Sequence, residues 1–186
     1  MSAQFLDAAL ALVAEGGPEA VTVSAVAGSL GAPIGSIYHR FASRDLLLAK
    51  MWLRTVESFQ AGFLEILKSG DGLRASLYTP SWVRSHVNEG RLLLLYEREY
   101  LISGEWPQEV RDHAAQLSRN LDEGFRTFTR KLFGRSARPA LQRVIFALVD
   151  VPAAAVRRYL EAGEAPPRII DELVRDTYIA ILGGNP

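Results

Sequence analysis

Ile34, Gly35, Ser36 and His39 fall within six consecutive residues, and their chemistry suits contact more than catalysis. Ile34 could press on a thymine methyl, and Ser36 and His39 could hydrogen-bond a base edge or a phosphate. Gly35 has no Cβ to hold the backbone away from a phosphate. The search for catalytic sets is mostly empty. His39, His86 and His113 are scattered, and H-E-x-x-H, G-x-S-x-G, phosphate-loop and dinucleotide patterns are absent. The paired Glu-x-x-His units of carboxylate di-metal bundles are missing too. Glu109 and His113 are four apart on what reads as an exposed helix face, where solvation is expected. With no cysteine there is no disulfide frame, thiolate zinc site or thiol nucleophile. No catalytic residue, metal ligand or cofactor is expected.

The elements that position the contact residues lie between Thr22 and Leu47. Thr22 can N-cap a helix over Val23 to Leu30, on which Val26, Ala27 and Leu30 make an apolar stripe. Gly31 tolerates positive φ and can turn the chain sharply. Pro33 has the fixed φ of a first helical turn and opens a brief helix to His39 that buries Ile37, with Phe41 just beyond. Ser43 starts the next helix, with Asp45 in its first turn. Helix, glycine turn and short helix make a helix-turn-helix, whose second helix faces base edges with its first turn. Residues 3–15 read as a helix with Phe5, Ala8, Ala9, Leu12 and Val13 on one face, covering a motif too small to hold a core alone.

This stretch resembles the tetracycline-repressor (TetR) family of bacterial transcription regulators, on Thr22, Val26-Ala27, Leu30-Gly31, Gly35-Ser36-Ile37-Tyr38, Phe41 and Ser43-Arg44-Asp45-x-Leu47. The resemblance implies an all-α protein: a three-helix DNA-binding domain over residues 1–45 and a ligand-binding and dimerisation bundle over 46–186. It implies phosphate contact by Tyr38 and backbone contact by Thr22 and Arg44. Plainer roles stay open: Thr22 can simply cap, Tyr38 can pack, and Arg44 can pair with a neighbouring acid. The chain departs from the family at Pro33, where serine is usual, and at Ile34, where a basic or polar residue is common. The DNA-binding set is therefore Thr22, Ile34, Gly35, Ser36, Tyr38, His39 and Arg44.

Charge gives this reading no help. The 186 residues carry no net charge, and residues 1–50 hold Arg40, Arg44 and Lys50 against Asp7, Glu15, Glu19 and Asp45. That counts against tight non-specific DNA binding, which needs many phosphate contacts. The N-terminus shows no export signal, and the longest apolar runs, Leu92–Leu95 and Val144–Val149, are too short for a bilayer. A cytoplasmic location away from membranes is expected.

Beyond Asp45 every long segment reads as helix. A helix to about Lys68 is followed by a loop over Leu73–Pro80, then helices over 81–89, 90–103 and 108–133. Another runs from 138 to 149, one capped by Asp150 is forced to restart or kink at Pro152, and the last covers 168–182. In the family the corresponding bundle holds an effector, which points to Phe59, Phe63, Trp82, Tyr96, Tyr100 and Phe128 as apolar lining. His86, Glu99 and Asn120 are the polar groups that would orient the ligand. Aromatic stripes at this spacing also make ordinary core, and neighbours or solvent can satisfy the polar groups. The family pairs its last two helices across a two-fold axis, so a homodimer through residues 138–182 is expected. Together these features imply a ligand-responsive repressor that binds a near-palindromic DNA operator as a dimer, released by a small molecule. The alternative is an all-α small-molecule-binding protein with a weak or relic DNA-binding domain.

Overall fold

The computed structural model describes residues 2–96 and 106–183. Its helices are α1 (Ser2–Gly16), α2 (Val23–Ser29), α3 (Ile34–Tyr38), α4 (Arg44–Ser69), α5 (Gly72–Ser85), α6 (Val87–Leu95), α7 (Gln108–Phe133), α8 (Arg138–Ile145), α9 (Val151–Glu161) and α10 (Ile169–Leu182). Among the described residues there is no strand. Two compact units form: Met1–Val56 with Asn88–Ala114, and Glu57–Val87 with Ala115–Pro186. The chain passes from the first to the second within α4, so the compact units do not divide at residue 45.

Local chemistry sets the ends of the first four helices. The Thr22 hydroxyl accepts from the Ala25 amide at 3.0 Å and starts α2. Gly31 takes φ +59° and turns the chain toward α3, which Pro33 precedes in extended conformation. The Ser43 hydroxyl accepts from the Leu46 amide at 3.1 Å and starts α4. The core of this unit joins Phe5, Ala9 and Val13 of α1 to Val26, Ala27, Ile37, Phe41, Leu47 and Met51, with Leu92 of α6 fully buried among them.

The second unit corrects three expectations. Leu73–Pro80 is helix, because the Asp71 carboxylate accepts from the Arg74 amide at 2.9 Å and α5 then buries Ala75, Ser76, Thr79, Pro80, Trp82 and Val83. Burial of that face outweighs the bond Pro80 removes. The helices expected over 81–89 and 90–103 divide instead at His86, where φ −141° and ψ 56° end α5. The part of the second beyond Tyr96 lies outside the described residues.

Asp150 does not cap. It is helical, with no capping hydrogen bond, inside a π-turn over Phe146–Asp150 that joins α8 to α9. The Val151 amide reaches back to the Phe146 carbonyl, and the wider turn lets Pro152 follow without a break. The resulting 24-residue helix is long and apolar enough on average to match a bilayer. Here Val144, Ala147, Leu148, Val156 and Leu160 are buried in the protein.

Candidate functional site

Because Ile37 and Phe41 turn inward, Phe41 meeting Phe5 edge-to-face at 6.4 Å, the opposite side of α3 is left to solvent. Ile34 is 48% exposed and Tyr38, one turn on, is 55% exposed. Gly35 and His39 are exposed beside them, and a Cβ at Gly35 would meet nothing within 4 Å. Ile34, Gly35, Tyr38 and His39 thus form one open strip. The half-buried Ser36 donates its hydroxyl proton to the Pro33 carbonyl at 2.6 Å, so only its lone pairs remain for a partner. Thr22 is exposed. Its oxygen accepts the capping bond, and its proton stays available to a phosphate.

Arg44 is differently employed. Its Nε donates to the Val21 carbonyl at 2.6 Å and its Nη2 to the Pro18 carbonyl at 2.6 Å. Glu19 lies 3.7 Å from the same Nη2, and Asp45 lies 3.7 Å from Nη1. The guanidinium clasps the 3-10 turn Pro18–Ala20 to the start of α4, and so holds the segment that presents Thr22.

In the second unit Phe59, Phe63, Trp82 and His86 do come together. Phe59 meets Trp82 at 5.1 Å and Phe63 at 5.7 Å, and the His86 ring stacks on Trp82 at 4.7 Å. His86 Nδ1 lies 2.9 Å from the Trp82 carbonyl oxygen. Phe63 reaches Phe125 at 5.8 Å, and Phe128 is buried in the same core.

Two expected ligand residues stand elsewhere. Tyr96 belongs to the first unit, where its hydroxyl donates to the Val13 carbonyl at 3.5 Å. Asn120 is exposed and accepts from Gln116 Nε2 at 2.7 Å, so it does not face the core. It sits on the polar side of the strongly amphipathic α7. Glu99 and Tyr100 lie outside the described residues.

Residues 5–51 match the model of bacterial regulatory proteins of the tetR family. Several solved structures share the whole fold. FadR of Bacillus subtilis, solved in complex with stearoyl-CoA, superposes with a TM-score of 0.71 over 99% of both chains at 16% identity. A tetR-family transcription regulator from Shewanella sp. PV-4 gives 0.67 over 97% of this chain and 95% of its own at 19% identity. FadR of Bacillus halodurans gives 0.66 over 99% of both at 16% identity. Residues 5–51 thus carry a tetR-family domain, and the chain as a whole shares the fold of these regulators.

No curated protein matches the sequence. Within the TetR frame, two bundle residues escaped sequence reading. Tyr78 meets Phe59 at 5.2 Å, but its segment carries the proline that made it look like loop. Gln60 is 8% exposed, and its Oε1 has no hydrogen-bond partner among the described residues. The signal available was an amide placed between Phe59 and Phe63 on an apolar helix.

Proposed function

We propose that this chain is a ligand-responsive transcriptional repressor that binds a near-palindromic operator as a homodimer. The observation that carries this reading is the open strip Ile34, Gly35, Tyr38 and His39 on α3, backed by a buried Ile37 and Phe41 that hold it rigid. A five-residue reader covers few base pairs, so two copies must act together, entering major grooves about 34 Å apart.

The dimer forms through residues 138–182. Phe146, Ile169, Leu173 and Ile179 there are each about half exposed, an unusual share of large apolar groups for one solvated face. An open groove of about 690 Å³ beside Ile145, Phe146, Ala180 and Ile181 adds to that face.

The effector is an apolar molecule held among Phe59, Phe63 and Trp82, with Gln60 as a polar anchor. The stearoyl-CoA in FadR of B. subtilis supports a chain-like compound as the first candidate. Its binding shifts the balance between two conformers by its difference in affinity for them. The change travels along α4, which runs unbroken from Arg44 to Ser69. The protein is a cytoplasmic regulator and not an enzyme.

A second reading, a bundle that has lost DNA binding, is favoured by the excess of acids in residues 1–50. Selection from a random duplex pool separates the two. The repressor reading expects an inverted repeat to enrich with the parent and not with Tyr38→Ala. A pool that stays random with the parent sinks it.

A further inference from the structure

We infer that this chain reads its operator through thymine methyl groups, with Ile34 as the residue that sets specificity. The inference rests on the DNA-binding reading above and names what that surface recognises. The first turn of α3 presents Pro33, Ile34, Gly35 and Ser36. Pro33 and Gly35 have no polar side-chain atom, and Ser36 has already given its proton to the Pro33 carbonyl at 2.6 Å. The turn therefore offers no side-chain donor. Guanine shows two acceptors in the major groove, and adenine is read by a bidentate amide. Neither finds its partner here. Ser36 lone pairs can accept from an exocyclic amine, but they cannot read the acceptors beside it.

Thymine alone carries an apolar group in that groove. Ile34 is the large apolar side chain the turn has to offer it, half exposed and stiff at χ1 through its β-branch. Gly35 lets the pair seat closely, since nothing occupies the space where its Cβ would stand. Tyr38 and His39, one turn later, supply polar contacts without competing for the same base.

The test begins with the full-length protein and a duplex enriched from a random pool. Each thymine of that duplex is then replaced by uracil in turn, which keeps the pairing and removes only the methyl. One thymine per half-site is expected to lose about fourfold in affinity, the value of one buried methyl. With Ile34→Ala the same replacement should cost less than twofold, and with Ile34→Val the cost should lie between. Ile34 is exposed, so both variants should melt with the parent. Uracil tolerance at every position, or a penalty that Ile34→Ala leaves unchanged, overturns the inference. A pool that never enriches overturns the DNA-binding reading beneath it instead.

Discussion

In the proposed complex Arg44 acts through the backbone it holds. Its two short bonds to backbone carbonyls take up the Nε–Nη2 edge of the guanidinium, one of the two edges with which it could fork onto a phosphate. Arg44→Ala should lower stability by about 1–2 kcal/mol, the order of a hydrogen bond to a charged group at a partly exposed site. Operator affinity should fall while the dependence of log K on log salt stays the same. A phosphate contact would instead reduce that slope by about one per chain. Arg44→Lys should not restore binding, because an ammonium cannot fork onto two carbonyls. Thr22 combines both kinds of work: its oxygen caps α2, so Thr22→Ala should cost about 1 kcal/mol in urea unfolding on top of any lost DNA contact.

On the scale of elements, α4 depends on a glycine inside it. A Cβ at Gly62 would run into the Tyr78 ring. Gly62→Ala, which gains about 1 kcal/mol in an open helix, should here destabilise, and Tyr78→Ala should relieve most of the conflict in the double variant. Burial raises the pKa of Tyr78, and burial together with the nearby Asp71 charge raises that of Tyr178. Folding therefore favours both neutral phenols. Their contribution is complete below the ordinary tyrosine value of 10.0 and is lost as pH climbs through the raised values. Thermal melts should show this alkaline loss, reduced in Tyr178→Phe. The first three turns of the fold could be read from the sequence because Thr22, Gly31 and Ser43 act on neighbours within three residues. Asp71, Pro80 and Pro152 could not be read so well. Whether a proline is accepted there depends on what the helix buries and on a π-turn, and both are set by residues distant in sequence. The exposed strip on α3 was readable from Ile37 and Phe41 pointing inward. The capture of Arg44 by two carbonyls left no trace in composition or spacing.

For the whole molecule, the proposed operator complex must do with few cations. Arg40 and Lys50 are exposed, Arg54 pairs with Asp7 at 2.8 Å, and Arg44 is held by backbone. Two such cations per chain predict a salt slope no steeper than about −4 for a dimer. Sequence preference then rests on apolar contact and fit more than on charge. Phe146→Asp should turn the proposed dimer into monomers in sedimentation and abolish operator binding, because one reader alone would hold too few base pairs. In the proposed complex two copies of the α3 strip meet DNA as a symmetric pair. A hydroxyl-radical footprint of the enriched duplex should show two protected patches, related by two-fold symmetry, one helical turn apart and lost with Tyr38→Ala. A single patch, or protection that survives Tyr38→Ala unchanged, would contradict that pairing.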